Sequence, residues 1–218
     1  MKVYGTMCMM PDRYPKSLSC VMSLKGQVEK LYLCLNGFDS VPKELNEDWI
    51  EVLHVGKNYG DAARFFMLPD IDGHLISCDD DLIYPKTYVS DFIKIHASNP
   101  GCVLSHHGKL VHGTSIQHVS HCLKPQVGFS EVNMPGSGCS FFPSEKVKLL
   151  RFNALACLNM SDVHLYCLLK ETKILTCPRP KDYLKYVEPP KGTTVWDTVT
   201  SKSDFMSKFE LVVNSYSK

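Results

Sequence analysis

The sequence predicts an α/β fold: a mostly parallel, Rossmann-like sheet with helices on both faces and a smaller subregion built by the second half of the chain. Short apolar runs alternate with amphipathic stretches through residues 1–98, and glycine or proline separates them. Three consecutive carboxylates follow the fourth apolar run. Alternation of strands and helices is typical of parallel sheets that are covered on both faces.

The first half carries clear start and stop signals. Proline stands in the first turn of the first predicted helix, and Gly26 follows that helix. Asn99, Pro100 and Gly101 end the third predicted helix. We predict strands over residues 2–9, 29–36, 49–55 and 74–78, and helices over residues 15–24, 60–68 and 85–98. In such sheets ligands bind beyond the carboxyl ends of the strands.

The second half is less regular, and residues 114–134 receive no assignment. We expect Ser161 or Asp162 to be the N-cap of a helix over residues 161–171. Other expected elements are strands over 102–106 and 109–112, a glycine turn running into an aromatic strand over 135–143, a surface loop over 178–194 and a closing helix over 203–216. The chain is expected to be one domain, with a ligand-binding half over residues 1–98 and a second half over 99–218.

Composition excludes several classes of protein. A net charge of +1, with Lys and Arg scattered along the 218 residues, gives no footprint for nucleic acid. No run approaches the ~18 apolar residues of a membrane span, and residues 1–6 lack the apolar block of a secretory signal. We therefore expect no integral membrane segment. The ten cysteines are expected to be buried free thiols, Cys157 among them, in a reducing compartment, the cytoplasm.

Asp79, Asp80 and Asp81 lie directly behind an apolar strand. Three like charges cannot be desolvated side by side without a compensating cation. Hard carboxylate oxygens suit Mg²⁺ or Mn²⁺, which usually bind one or two carboxylates together with phosphates of a substrate. The triplet predicts a metal-assisted grip on a phosphorylated ligand, and the alternative is a solvated acidic turn.

Weaker candidates surround the triplet. Residues 56–64 open a helix whose amides favour phosphate, with Arg64 one turn in. The loop after the first strand carries Arg13, a candidate phosphate or base contact, although its methionines suit a core equally well. Gly136, Ser137 and Gly138 allow close approach to a sugar or form a plain turn. Asp162 is a candidate base or a simple helix cap.

The histidines offer further candidates. His164 is a candidate third metal ligand or diphosphate contact. His106, His107, His112, His118 and His121 cluster in sequence near Cys122. The chain has no Cys-x-x-Cys pair, so the spacing argues against a structural zinc site, and no local signature supports a Cys–His nucleophile.

Taken in order, these segments resemble nucleotide-sugar glycosyltransferases of the GT-A fold, close to family 2. The matching segments are residues 6–13, 60–64, 76–85, 135–138 and 159–162, and residues 193–197 resemble the tail of some bacterial capsule-type members. A fainter resemblance is to the N-terminal domain of a chlorovirus glycosyltransferase. The chain departs from the family pattern at Asn36 and Gly37, where an acidic residue is usual, and at Ser161, where Glu usually precedes the Asp.

The resemblance implies a role for each matching residue. A Mn²⁺ or Mg²⁺ ion would lie on Asp79 and Asp81, Asp162 would be the general base, and residues 136–138 would face the acceptor or sugar. The nucleotide contacts implied are Thr6, Met7, Met9, Arg13, Asn36, Asn58, Asp61, Arg64, Asp79 and Asp80.

The function implied is metal-dependent transfer of a sugar from a UDP-sugar, such as UDP-glucose, to a glycan or glycoprotein acceptor. Two alternatives stay open: another metal–phosphate enzyme, such as a nucleotidyltransferase or phosphatase, and a non-catalytic module that binds nucleotide sugars. A phosphatase would usually carry its acidic motif at the first strand, and a nucleotidyltransferase would usually open with a glycine-rich loop.

Overall fold

A central sheet of eight strands organises the molecule. The computed structural model describes residues 1–113, 115–150, 152, 159–192 and 201–217. The strands of the central sheet, in spatial order, are β3 (Ile50–Val55), β2 (Leu31–Asn36), β1 (Val3–Met9), β4 (His74–Asp79), β11 (Cys139–Phe142), β6 (Val103–Ser105), β12 (Ile174–Thr176) and β9 (Ser130–Val132). The first four strands are parallel, β11 is antiparallel to both of its neighbours, and β6 pairs with β12 in parallel. The predicted α/β class is confirmed.

Helices connect these strands. They are α1 (Leu18–Met22), α2 (Ala63–Phe66), α3 (Tyr88–Ser98), α4 (Ser144–Val147), α5 (Ser161–Leu168) and α6 (Lys202–Ser215), with 3₁₀ turns at Pro11–Arg13 and Lys43–Leu45. The four strands predicted for the first half are all present, and α3 ends as predicted, with Gly101 at a positive φ of 76°. The predicted helix over 60–68 is a single turn, because Gly60 has a φ of 69°, outside the helical region.

The N-cap predicted for α5 is wrong. Met160 is the N-cap, and its side chain makes no capping hydrogen bond. Ser161 donates its hydroxyl to Asp61 across the site, and the carboxylate of Asp162 accepts from the backbone N–H of Ser137. Both side chains are therefore used in tertiary contacts instead of at the helix terminus.

Much of the segment 114–134, to which the sequence gave no assignment, is strand: β8 (Ser115–Ser120), β9 and the start of β10 (Met134–Pro135) fall in it. β7 (Gly108–His112), β8 (Ser115–Ser120) and β10 (Met134–Pro135) make a second sheet in the order β10-β7-β8, and β9 joins the central sheet. The predicted loop over 178–194 also contains a short strand, β13 (Lys185–Tyr186), which pairs with β5 (Leu82–Ile83) just after the acidic triplet. Local sequence was uninformative here because strand pairing joins segments distant along the chain.

The core explains the strand pattern. Every residue of β2 is buried, as expected for a parallel strand covered on both faces. The nine cysteines that the structure describes are free, and all are buried except the partly exposed Cys122. Cys157 and residues 193–197 lie outside the described residues. Among the described helices, none is both long and apolar enough to cross a membrane.

The register of the parallel pairing between β1 and β4 places the ends of these two strands side by side. Cys8 lies beside Asp79 in the parallel pairing, and β11 begins on the other side of β4, where Cys139 faces Cys78. The sheet therefore continues across the boundary predicted near residue 98. Residues from both halves of the chain meet at one edge of it.

Candidate functional site

A cavity of about 470 Å³ lies at the carboxyl edge of β1 and β4. The acidic triplet, Arg13, Asn58, Asp61 and Arg64 line it from the first half of the chain. The second half contributes the glycine turn, the start of α5 and residues around β7 and β8. The cavity lies where ligands of open parallel sheets bind.

Two arginines neutralise part of the acidic triplet. Arg64 is buried, and its guanidinium contacts Oδ1 of Asp79 at 2.6 Å and the carbonyl of Cys78 at 2.7 Å. Arg13 forms an ion pair with the buried Asp80 and lies 3.5 Å from Oδ2 of Asp81. We call Asp79, Asp80, Asp81, Arg13 and Arg64 the acidic side of the cavity.

Burial still disfavours the charge on this side. Burial, and then the charges of Asp79 and Asp80, raise the pKa of Asp81 to about 7. Burial also raises the pKa of Asp80 despite its ion pair with Arg13. A hard divalent cation would relieve this repulsion, and carboxylate oxygens are the donors that Mg²⁺ and Mn²⁺ prefer. The residues present therefore fit such an ion.

Glycine at position 138 makes room for Asp79. A Cβ built on Gly138 would overlap the carboxylate of Asp79. The phenol of Tyr84 is buried between the two residues: it donates to the carbonyl of Gly138 at 2.8 Å and accepts from the backbone N–H of Asp79 at 2.7 Å. This arrangement fixes the end of β4 against the glycine turn.

Asp61 lies beside this network. Its Oδ2 accepts the hydroxyl of Ser161, and its backbone N–H donates to Asn159 at 3.1 Å. Its Oδ1 is buried, and within the described part of the chain no donor reaches it. Burial raises the pKa of Asp61 to about 6, although the charge of Arg64 opposes this shift. An unsatisfied buried carboxylate oxygen lining the cavity is available to a hydrogen-bond donor of a ligand.

Asp162 lies across the cavity from these residues. Its carboxylate accepts from the backbone N–H of Ser137 at 2.8 Å and from Nζ of the buried Lys109 at 3.1 Å. Burial opposes ionisation, but the charges of Lys109 and His107 and the Ser137 hydrogen bond together lower the pKa of Asp162 to about 2. The carboxylate is therefore ionised at neutral pH and a weak base in this arrangement.

Most predicted site residues come together at the cavity. Those that line it are Arg13, Asn58, Asp61, Arg64, Asp79, Asp80, Asp81, Gly136, Ser137, Gly138 and Asp162. The fold therefore brings the acidic triplet, the glycine turn and Asp162 to one site, as the sequence predicts.

Three residues of β1 predicted to contact nucleotide do not line the cavity. Met7 and Met9 are fully buried in the main core, because side chains alternate along a strand and these two point away from the site face. Thr6 shares the face of Cys8 but lies one pleat deeper, where its hydroxyl donates to the carbonyl of Arg64 at 2.6 Å. Cys8 lines the cavity in their place.

Asn36 and His164 are also elsewhere. The side chain of Asn36 is buried and holds the segment that carries Asn58, bonding the carbonyl of Gly60 at 2.6 Å and the N–H of Tyr59 at 3.1 Å. His164 is fully buried, with Nδ1 2.8 Å from the hydroxyl of Tyr216. Because it follows Asp162 by two residues, it lies ~200° around the helix and faces away from the cavity.

The wall of the cavity that carries Asp162 also contains residues to which the sequence assigned no role in the site. They are His107, Lys109, His121, Cys122 and Cys139, and all of them line the cavity. The clustering of histidines near Cys122 is the one sequence signal for these residues, although its spacing matches no common zinc pattern. We call His107, Lys109, His121, Cys122 and Asp162 the imidazole side of the cavity.

The fold is similar to those of solved structures, although no protein-family model and no curated protein matches the chain. A crystal structure of GalNAc-T7 with UDP, GalNAc and Mn²⁺ superposes with a TM-score of 0.64 at 9% identity, over 99% of this chain. A crystal structure of S. aureus TarS 1–349 superposes with a TM-score of 0.61 at 15% identity, over 97% of this chain.

Both of these proteins are glycosyltransferases, and at such identities the likeness establishes the fold. The fold is GT-A-like. This chain spans 49% of the GalNAc-T7 chain and 64% of the TarS chain. Neither comparison names a chlorovirus protein.

Proposed function

We propose that this GT-A-like chain is a metal-dependent glycosyltransferase. It would move a sugar from a UDP-sugar, such as UDP-glucose, to a glycan or glycoprotein acceptor. The observation that carries the proposal is the gathering of three carboxylates and two arginines on one side of a cavity, with an ionised carboxylate on the other and a glycine turn that contacts both. One structural neighbour was crystallised with UDP, GalNAc and Mn²⁺.

The acidic side would hold the metal and the diphosphate. Asp79 and Asp81 would be the metal ligands, since their side chains are 35% and 19% exposed. Asp80, at 4%, is committed to Arg13 and serves to position it. A Mn²⁺ or Mg²⁺ ion would stabilise the charge that develops on the departing diphosphate, which is worth several kcal/mol in typical metal sites.

The residues around Asp61 would contact the donor nucleotide. Asn58 lines the cavity, and the buried, unsatisfied Oδ1 of Asp61 would accept from a hydroxyl or N–H of the donor. Arg64 would keep both Asp61 and Asp79 in place, because its Nε donates to the carbonyl of Asp61 at 3.0 Å while its terminal nitrogen contacts Asp79. Such fixed geometry lowers the cost of ordering the donor.

Asp162 would accept the proton of the acceptor hydroxyl. A positioned base of this kind contributes ~10²–10⁴-fold to rate. Its low pKa sets a condition: the contact with Lys109 must weaken when the acceptor enters, so that the carboxylate becomes a stronger base. The Ser137 N–H would hold the carboxylate in position throughout.

The test is binding of UDP with and without Mn²⁺. We expect UDP and Mn²⁺ together to raise the melting temperature by more than the sum of their separate effects. Asp81→Asn should remove this synergy and abolish turnover while the far-ultraviolet circular dichroism stays unchanged. Asp39→Asn, at an exposed position, is the matched control and should behave as wild type. If UDP binds without any dependence on metal, the proposal fails.

A second candidate is a non-catalytic nucleotide-sugar-binding module. The close contact of Lys109 with Asp162 favours it, because a carboxylate held at a pKa of about 2 is a poor base. Hydrolysis and transfer assays with nucleotide sugars separate the two. Metal-dependent UDP binding without turnover on any donor, with or without glycan acceptors, would favour the module.

A further inference from the structure

Three metal-ligating side chains meet on the imidazole side, separate from the three carboxylates of the acidic side. His107, His121 and Cys122 each offer one ligand atom, and these atoms lie within 4.8 Å of one another. The rings of His107 and His121 are 5.2 Å apart between centroids. Among the described residues, no other group of three or more such side chains meets this criterion.

The backbone that carries these side chains is rigidly held. Arg179 is buried, and its guanidinium donates to the carbonyl of Cys122 at 3.2 Å and also to the carbonyl of His121. The carbonyl of His107 accepts from the backbone N–H of Gly136 at 2.8 Å and from the hydroxyl of Ser105 at 2.7 Å. The three ligand positions are therefore preorganised by groups that are not ligands themselves.

We propose that His107, His121 and Cys122 bind a Zn²⁺ ion. Imidazole and thiolate are the donors that zinc prefers, whereas the carboxylates of the acidic side suit harder ions. Around tetrahedral zinc, a nitrogen and a sulfur ligand lie ~3.5 Å apart. Side-chain rotations that move the ligand atoms by ~1 Å therefore suffice to close the site. As the Zn–S bond forms, the thiol proton of Cys122 passes to solvent. The proposal does not depend on the glycosyltransferase proposal.

Three protein ligands leave one coordination position, and the site lines the cavity. In zinc proteins an open fourth position holds water or a ligand atom. We infer that the fourth position binds an oxygen or sulfur atom of a ligand that enters the cavity from the imidazole side. The cavity would then carry two ions of different chemistry, one on each side.

The test uses the full chain, stripped of metal and kept reduced, with Zn²⁺ in calorimetry and Co²⁺ in absorption. We expect one Zn²⁺ per chain. Co²⁺ should give a sulfur-to-cobalt charge-transfer band and the intense visible bands of tetrahedral cobalt. Cys122→Ser should remove the charge-transfer band, and His107→Gln should weaken Zn²⁺ binding at least ~100-fold. His112→Gln, an exposed histidine on β7 outside the cavity, is the matched control.

The Asp79→Asn, Asp81→Asn double variant separates the two sites, because it should keep tight Zn²⁺ binding. Circular dichroism of each variant checks that the fold is intact. Wild-type affinity in Cys122→Ser, cobalt spectra without the charge-transfer band in the unaltered chain, or loss of Zn²⁺ in the double aspartate variant would each overturn the proposal.

Discussion

The two sides of the cavity are assembled in different ways. On the acidic side, three consecutive residues at the end of β4 supply the carboxylates, and two arginines fix two of them. On the imidazole side, the functional groups come from β7 and the residue before it, the turn at 121–122 and the start of α5. A contiguous motif makes the first side visible in the sequence, whereas the second exists only once the strands have paired.

The variant with the largest expected effect on stability is Arg64→Met, and it tests whether the acidic side behaves as one unit. Arg64→Met removes the guanidinium that contacts Asp79 and the carbonyls of Cys78 and Asp61. Because buried charges and carbonyls would lose their partner, we expect a loss of ~3–5 kcal/mol in the free energy of unfolding. Urea denaturation measures it.

The matched control is Lys25→Met, which breaks an exposed pair with Glu47. Such pairs contribute about 1 kcal/mol or less. Equal losses in the two variants would contradict the view that Arg64 is the centre of the acidic side.

Paired glycine substitutions sharpen the comparison between the two sides. A Cβ on Gly138 would overlap Asp79, whereas a Cβ on Gly136 would lie 2.6 Å from Cβ of His107. We expect Gly138→Ala to reduce sugar-nucleotide turnover by ~10²-fold, because displacing a site group by ~1 Å costs about this much. Gly136→Ala should instead weaken Zn²⁺ binding.

Steady-state kinetics and zinc calorimetry on both variants test this pair. Neither glycine has a positive φ, so the cause is space and not backbone conformation. The same phenotype from both substitutions would show that the two sides do not act separately.

The smallest expected effect concerns pH. Without the Lys109 charge, the pKa of Asp162 should rise in Lys109→Gln from about 2 toward the ordinary value near ~4. A carboxylate with a lowered pKa adds stability above its unfolded pKa, and that stability is lost as the pH falls toward 2. Lys109→Gln should therefore also reduce stability at neutral pH.

Acid titrations of stability check this expectation. Lys94→Gln, which alters an exposed lysine on α3, is the control and should leave the stability curve in place. An unchanged stability curve in Lys109→Gln would contradict the view that Lys109 lowers the pKa of Asp162.

Sequence reasoning reached the fold and the acidic side for physical reasons. Apolar runs and glycine stops fix the four strands of the first half, and like charges at a strand end demand a cation. Period-two alternation along β1 separates Cys8, which lines the cavity, from Met7 and Met9, which lie in the core. The turn of α5, which directs Asp162 and His164 to opposite sides, was also readable from helix geometry.

Other features required the tertiary structure. The pairing of Lys109 with Asp162 joins residues 53 positions apart. The three side chains of the proposed zinc site come together only because β7 and β8 pair and Arg179 holds the following turn. Asn36 follows a strand as a ligand-binding residue would, yet its amide is consumed by the neighbouring segment. No local pattern distinguishes these outcomes.

The antiparallel insertion of β11 beside β4 has a mechanical consequence. Backbone hydrogen bonds hold neighbouring strands at a spacing of ~4.8 Å. Asp79 ends one of these strands, and Gly138 immediately precedes the other. The separation between Asp79, the proposed metal ligand, and the glycine turn is therefore set by the pairing of the two strands, so this part of the site is formed before any ligand binds.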